Sequence, residues 1–443
     1  MSRTLLVACG VTACLAWTPT RVSTSPQQPS SPAAQAPAPD PALTELAGRF
    51  VAATDAERIA LVQAHAEILQ APFRQILSQQ GVNQRNDGAM TESERTFTAL
   101  LFLGRQYRQP ITEINALLGL GAVEGVRSEF RKSRAYLQEA YDLSIANTHV
   151  PGQQQALSNL ATVKRRTGDT KGAFDSLNES LVLARQVGDP LAIARVLNNF
   201  GITYNDIGLG ARALEFYNQS LALKEQNNAT AVEITNTLSN IGGVFAGQGD
   251  YTTALDYFRR ALAKIEGSSR LDSVTSVYNN LGQVYASLSD YTTARRYLTQ
   301  GLALAERIED ATRMATALYL LATIDLAEGK LDASEATQRR ALAVREAAGD
   351  RLGVIESLTE MASLLDRRSR HVDAVPYGER AVELATESRL INQLWKAQLT
   401  LGHIHYGLGH DAIARRLYEE AIENIENVRH LAAGGERTRQ RYM

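Results

Sequence analysis

Cysteine is nearly absent from this 443-residue chain: only Cys9 and Cys14 occur, and both lie inside the first hydrophobic run. The rest of the protein can therefore form no disulfide. An excess of one charge is also lacking, because 46 basic residues stand against 48 acidic ones and the formal net charge is −2. This balance provides no global field that would favour nucleic acid or an anionic membrane.

Catalytic and nucleotide-binding motifs are missing as well. The sequence shows no Ser-His-Asp spacing and no phosphate-cradling glycine loop, and the segment Leu117–Gly121 (LLGLG) holds only two glycines. His403, His405 and His410 come nearest to a metal motif. Because His403 and His405 lie two apart on a predicted helix, their side chains diverge by about 200° and are poorly placed to share one ion. We therefore expect no metal, no cofactor and no enzyme activity in this chain.

What the chain does contain is a repeat of about forty residues. A small residue, here called the anchor, recurs through eight units, and further small residues follow it at twelve and nineteen positions. A residue typical of helix ends stands seven positions after each anchor. The anchors are Gly121, Ala161, Gly201, Gly242, Gly282, Ala322, Ala362 and Gly402, and the helix-end residues are Ser128, Gly168, Gly208, Gly249, Ser289, Gly329, Ser369 and Gly409. Such self-similarity predicts a solenoid with a binding surface rather than an active site.

The spacing of the small residues has a geometric reason. Two antiparallel helices approach closely only where neither presents a bulky side chain at the crossing. The anchor then lies on the first helix of each unit (helix A), and the small residues at offsets twelve and nineteen lie on the second (helix B). Each unit is predicted to be an amphipathic hairpin that needs neighbours to bury its apolar face.

This pattern resembles the tetratricopeptide repeat, whose consensus places small residues at these offsets and an aromatic residue three after the first. Tyr204, Phe245 and Tyr285 match that aromatic, and Asn279–Ala294 reads close to the consensus. Over roughly Ala116–Arg429 the resemblance implies an all-α, right-handed superhelical solenoid of antiparallel helix hairpins, with about eight repeats. The period is about six residues longer than the usual 34, so longer helices or turns must absorb the difference. HEAT and armadillo repeats share the forty-residue period but not this placement of glycine and alanine.

The start of the chain differs from the repeats. Residues 1–17 contain a hydrophobic run that is too short to span a membrane as a helix and suits a secretory signal. Val11–Cys14 also resembles a bacterial lipobox, which would leave Cys14 lipidated. We expect an exported protein, which is either periplasmic or extracellular or anchored as a lipoprotein. The alternatives are a mis-assigned start of the sequence and a cytosolic tail. Residues 18–41 are rich in Pro, Ser, Ala and Gln, which is the composition of a disordered spacer.

Three further regions follow the spacer. Residues 42–110 are predicted to form a helical N-terminal cap, with an amphipathic helix over Ala42–Gln70 and a capping box made by Thr91 and Glu94. The solenoid takes residues 111–430, and residues 431–443 read as a connector to a C-terminal domain. The last solenoid helix keeps an apolar stripe on the face that would end the array, so we also expect self-association there. The stripe consists of Ile413, Leu417, Ile422, Ile425 and Val428.

A narrower resemblance joins these regions. Exported bacterial proteins with a caspase-like CHAT domain combine a signal, a TDAER helix like Thr54–Arg58, forty-residue tetratricopeptide repeats and a connector similar to Ala421–Arg441. The resemblance implies that the repeats regulate a cysteine peptidase or recruit its substrates. The catalytic His and Cys of such a domain would follow Met443 and correspond to no residue of this sequence.

The sharpest candidate site is a ladder of asparagines. Asn159, Asn199, Asn240 and Asn280 stand two positions before the anchor in four successive repeats. Asparagine is a poor residue in the middle of a helix, so four registered occurrences call for a reason. In tetratricopeptide repeats this position lines the groove, where an amide can bond the backbone of an extended peptide. The alternative is that these amides bond neighbouring repeats to one another.

Other groove positions are mostly small or polar. Asn198 and Asn279 lie beside the ladder. Arg166 and Arg195 are candidates to bind an acidic group of a ligand, although scattered surface arginine is the simpler and favoured interpretation. The function expected from these features is a scaffold that binds an extended peptide or partner protein in its concave groove. The alternative is the regulatory or substrate-recruiting region of a CHAT-type cysteine peptidase.

Overall fold

The computed structural model describes residues 40–439 apart from residues 269 and 389, with side chains as far as residue 426. The predicted signal, the lipobox with Cys14, nearly all of the spacer and the end of the predicted connector lie outside this part of the chain.

The described residues form twenty α-helices, one short 3₁₀ turn (Ala66–Leu69) and no strand, so the prediction of an all-α fold is confirmed. The α-helices are α1 (Pro41–Ala52), α2 (Asp55–Ala64), α3 (Ala71–Asn86), α4 (Met90–Gln106), α5 (Pro110–Val126), α6 (Phe130–Ala146), α7 (Val150–Arg166), α8 (Thr170–Val187), α9 (Pro190–Asp206), α10 (Gly210–Gln226), α11 (Ala231–Gly247), α12 (Tyr251–Ile265), α13 (Leu271–Ser287), α14 (Tyr291–Arg307), α15 (Ala311–Ala327), α16 (Leu331–Ala347), α17 (Arg351–Arg367), α18 (His371–Glu387), α19 (Ile391–Gly407) and α20 (Asp411–Arg439).

Eight antiparallel hairpins form the solenoid. Hairpin one is α5–α6, the pairs continue in order, and hairpin eight is α19–α20. Most of these helices are 17 residues long and are joined by turns of about three residues, so longer helices rather than longer turns account for the forty-residue period. The last helix, α20, is 29 residues long and runs on through the predicted boundary at residue 430.

The residue seven positions after each anchor follows helix A, as predicted. All eight of these residues have positive φ: five are glycines, and the other three are Ser128 (φ 63°), Ser289 (φ 59°) and Ser369 (φ 58°). A side chain with a Cβ is disfavoured in this left-handed region, whereas glycine enters it freely. The backbone at the three serines is therefore more strained than at the five glycines, although all eight repeats have the same turn at this position.

The small residues allow the two helices of a hairpin to meet. A Cβ built on Gly242 would lie 2.9 Å from the Phe258 ring, and Ala254 opposite is fully buried. Where serine replaces alanine at offset twelve, its hydroxyl donates to the carbonyl of the anchor, as Ser133 does to Gly121 at 2.6 Å. The predicted crossing of helices A and B is present in the structure.

The N-terminal cap differs in detail from its prediction. The segment expected as one amphipathic helix contains α1, α2 and the 3₁₀ turn. A capping box does form in the cap, but it joins Thr54 and Glu57 at the start of α2. The predicted box of Thr91 and Glu94 is wrong, because α4 already begins at Met90 and Glu94 instead accepts a hydrogen bond from Arg127 at 2.6 Å.

The solenoid contacts itself one superhelical turn further on. Gly88, in the turn between α3 and α4, lies against the backbone of Glu309, and Gly168, in the turn of hairpin two, lies against Ile391 at the start of α19. Helix α20 also contacts α8. The apolar core of the N-terminal half includes Leu390, which is almost fully buried. These contacts join parts of the array that are far apart in the sequence.

Candidate functional site

A cavity of about 1220 Å³ lies between the α3–α4 turn and hairpins five and six. It exists because the self-contact at Gly88 brings the N-terminal cap against the turn between α14 and α15. Its walls mix apolar groups such as Met90 and Ile308 with the polar side chains of Ser276 and Thr312. Concave sites that combine apolar surface with polar groups are typical of ligand sites in proteins, and most residues of this wall are polar or charged.

Ion pairs occupy about half of the charged groups of the cavity wall. Arg313 pairs with Asp310 and donates to the Ser276 hydroxyl at 2.8 Å. Asp272 is held by Arg270 at 2.9 Å, and although burial opposes the effect, these hydrogen bonds and charges lower the pKa of Asp272. These groups stabilise the start of α13 and of α15, and their pairing leaves them little capacity to bind a ligand.

Two of the predicted site residues, Asn279 and Asn280, line this cavity. Asn279 is buried, its amide donates to the carbonyl of Arg313 at 3.2 Å, and its oxygen faces the backbone at Gly301 without a hydrogen bond. It therefore joins hairpin five to hairpin six. Asn280 is only partly buried, and its side-chain amide makes no hydrogen bond to any other described residue, so this amide is available to a ligand.

Farther along the groove, the asparagine ladder bonds successive repeats. Asn199 donates to the hydroxyl of Ser158 at 3.0 Å, and Asn240 donates to the side-chain oxygen of Asn198 at 3.1 Å. In both cases the acceptor lies on the A helix of the preceding hairpin. Asn159 is partly buried on α7. Each of the two bonded amides keeps a second N–H that these bonds do not use.

The two predicted arginines are both engaged within the protein. Arg166 donates to the carbonyl of Gly125 at 3.0 Å and packs its guanidinium over the Phe130 ring, and burial lowers its pKa. Arg195 pairs with Glu233 at 3.2 Å and lies 3.5 Å from Asp189. Both therefore support the contact between neighbouring hairpins.

A smaller pocket of about 200 Å³ opens on hairpins six to eight, where the asparagine ladder has ended. Glu356 and Glu360 line it one helical turn apart, together with Tyr319 and Lys396. Burial raises the pKa of both carboxyl groups, and burial with the charges of these carboxylates raises the pKa of Tyr319. This surface, with its two carboxyl groups, differs chemically from the amide-lined half.

The histidines form a pair without further ligands. His405 and His410 approach within 3.1 Å between their Nδ1 atoms, and burial, together with the charge of His410, lowers the pKa of His405. His403 instead stacks edge-on against Tyr418. In the described part of the chain, no group of three His, Cys, Asp or Glu side chains is arranged to hold a metal ion. None of the helices described is both long and apolar enough to cross a membrane.

Sequence reasoning missed Arg85, which lines the large cavity from the last turn of α3. It lies in the cap, outside the repeats, so no repeat register singled it out. Its position became informative only through the self-contact of the solenoid, which depends on the superhelical pitch and not on any local pattern.

Comparison with known proteins places these features in a class. The family description of the tetratricopeptide repeat matches residues 152–226, 233–307 and 313–387, and the chain belongs to this family. No curated protein matches the chain significantly.

Several solved structures share the fold. A Rap protein complexed with competence and sporulation factor is 13% identical, with a TM-score of 0.57 over 81% of this chain and 99% of that one. The Rap conjugation gene regulator of plasmid pLS20 in complex with the Phr* peptide is 14% identical, with a TM-score of 0.55 over 80% and 96%. The apo quorum sensor NprR from B. thuringiensis is 15% identical, with a TM-score of 0.51 over 79% and 97%. These likenesses concern the fold alone.

Proposed function

We propose that this protein is an interaction scaffold that binds an extended peptide or partner-protein segment along its concave groove. The observation that carries the proposal is the cavity of about 1220 Å³, whose wall includes the unengaged amide of Asn280 and the hydroxyls of Thr312 and Thr316, the second of which donates to the Thr312 carbonyl. An extended segment has unpaired backbone N–H and C=O groups at regular intervals. Amides and hydroxyls placed along adjacent A helices can bond those groups without regard to the ligand's side chains.

The fold comparisons support this proposal by analogy. Two proteins of similar fold were solved with a factor or peptide bound, namely the Rap protein with competence and sporulation factor and the pLS20 regulator with the Phr* peptide. The ladder residues Asn159, Asn199 and Asn240 lie on the A helices that precede Asn280. We propose that they extend the same peptide path toward the N-terminal hairpins.

Selection of peptide ligands tests the proposed function. A random twelve-residue peptide library displayed on phage is selected on the purified chain, and enriched peptides are synthesised with a fluorescent label and titrated. We expect Thr312→Trp, which fills the cavity, to weaken binding at least tenfold, whereas Thr252→Trp on exposed α12 leaves it unchanged. If no peptide is enriched, or if both variants bind equally well, the groove is not the binding site.

A second candidate activity is self-association through α20, which two exposed apolar side chains favour. Ile422 is 59% exposed and Ile413 is 37% exposed on this helix, whereas Leu417 is buried against the rest of hairpin eight. Light scattering across a concentration series tests this proposal: we expect a dimer that Ile422→Glu converts to a monomer. A monomer at all concentrations would exclude it.

Export, lipidation at Cys14 and association with a CHAT-type peptidase stay predictions from the sequence.

A further inference from the structure

The large cavity contains one arginine whose charge is not compensated. Arg85 lines the cavity, and its guanidinium makes no hydrogen bond or ion pair with any described residue. The two other arginines of the wall are paired: Arg127 with Glu94, and Arg313 with Asp310. Arg85 is therefore the guanidinium of this wall that is left for a ligand.

The surroundings of Arg85 make an unpaired state unfavourable. Burial lowers the pKa of this side chain, and no neighbouring charge offsets the effect. An arginine stays cationic in proteins even so, and a partly buried cation without a partner loses hydration that nothing replaces. A carboxylate on a ligand would compensate for the lost hydration, because it can accept two parallel hydrogen bonds from the guanidinium.

The edge of the cavity carries the opposite charge. Asp87, Glu92 and Glu309 line it, are exposed, and form no ion pair with other described side chains. We call these three residues the acidic mouth. They repel a ligand with many negative charges, such as a nucleic acid, and attract a basic side chain that lies beside the group bound to Arg85.

From these two features, and resting on the proposed peptide-binding function, we propose a charge pattern for the ligand. The cavity selects a peptide that pairs one carboxylate with Arg85 and places a lysine or arginine next to it at the acidic mouth. Arg166 and Arg195, the arginines chosen from the sequence for an acidic group, are engaged within the protein, whereas Arg85 is not.

A purely structural role for Arg85 makes a different prediction. A cation in the last turn of a helix interacts favourably with the helix dipole, and Arg85 occupies that turn of α3. If this were its role, Arg85→Gln would lower the melting temperature and leave peptide affinity unchanged. If Arg85 serves a ligand, Arg85→Gln keeps or raises the melting temperature and loses affinity.

The experiment uses the labelled peptides obtained by selection on the full chain. We expect the enriched sequences to combine an acidic residue with a neighbouring basic one. Arg85→Gln should weaken their binding about ten- to a hundredfold, the range of a hydrogen bond to a charged group. Replacing the peptide's acidic residue by its amide should cause a similar loss, and the two changes together should not add. Arg85→Lys should bind with intermediate affinity.

The control is Arg134→Gln, which removes the same charge from the exposed surface of α6, outside the cavity, and should not alter binding. Peptides that are amidated at the C-terminus show whether the bound carboxylate is a side chain or the chain end. Enriched peptides without any carboxylate, or unchanged binding by Arg85→Gln, would overturn the charge pattern while leaving peptide binding intact. Failure to enrich any peptide would overturn both.

Discussion

At the residue scale, Lys224 on α10 is a buried ammonium group. It is 3% exposed and donates to the hydroxyl of Thr237 at 2.7 Å and to the carbonyl of Glu233 at 3.1 Å. Burial lowers the pKa of Lys224 to about 8, the charge of Glu233 opposes this shift, and the charge of Arg195 adds to it. Since the folded pKa lies below the ordinary value of 10.5, the unfolded chain binds more protons between pH 8 and 10.5, and stability rises with pH across that window.

We therefore expect the free energy of unfolding of the wild type to rise by roughly 2 kcal/mol from pH 8 to pH 10 relative to Lys224→Met. Urea denaturation of both proteins at several pH values measures this difference. The variant serves as the reference because the other titrating groups are common to the two chains. Parallel pH profiles would show that Lys224 keeps its ordinary pKa in the folded protein.

The asparagine ladder separates into two kinds of residue. Asn199 and Asn240 bond the preceding hairpin, whereas Asn280 faces the cavity. Substituting alanine for Asn199 or Asn240 should lower stability by about 0.5 to 1.5 kcal/mol each, less a few tenths because alanine favours the helix. Asn280→Ala should leave stability unchanged or slightly higher and weaken peptide binding. Thermal unfolding with peptide titration distinguishes them; a loss of stability for Asn280→Ala would place it with the other two.

The sequence predicted the position of these amides but not their partners. The ladder is visible because four asparagines share one register with the anchors. Whether an amide meets a ligand or a neighbour depends on what the preceding repeat places opposite it, and here Ser158 and Asn198 supply the acceptors. The hydrogen bonds between an amide and the preceding hairpin depend on how adjacent hairpins are positioned relative to each other. The sequence of a single repeat does not encode this position.

At the scale of the helix and its turn, the eight repeats provide a comparison within one chain. Ser369 has φ 58° at the turn position where five other repeats have glycine. Ser369→Gly should raise stability by roughly 0.5 to 1 kcal/mol, because glycine enters the left-handed region without a Cβ contact. Ser363→Gly, the same change inside α17, should lower stability by a few tenths of a kcal/mol. Equal melting temperatures of the two variants would contradict the assigned turn.

The elements were predicted more successfully than their exact starts. Helix ends came from the glycine register, which reflects a backbone requirement that few residues satisfy. The capping box was assigned to Thr91 although the sequence Thr54–Glu57 offers the same residues. A threonine followed three positions later by glutamate occurs at both places, but α4 already begins at Met90, and Glu94 pairs with Arg127, 33 residues away in sequence.

At the scale of the whole molecule, the self-contact of the solenoid can be tested directly. Ile391 packs on the turn at Gly168: a Cβ built on Gly168 would lie 3.8 Å from the Ile391 side chain. Ile391→Asp should weaken this contact and increase the radius of gyration measured by small-angle X-ray scattering. Val372→Asp, which alters a side chain that is 74% exposed, is the matched control. If both variants scatter like the wild type, the contact does not determine the pitch of the superhelix.

The same self-contact changes how the array is expected to unfold. In an ordinary repeat array each unit touches only its neighbours, so stability behaves as a one-dimensional chain of coupled units and the ends fray independently. Here hairpin two meets hairpin eight, and the cap meets the turn before hairpin six. Loss of one end therefore removes support from units far along the chain. Such long-range coupling favours a single cooperative unfolding transition, in which the two ends of the repeat array unfold together.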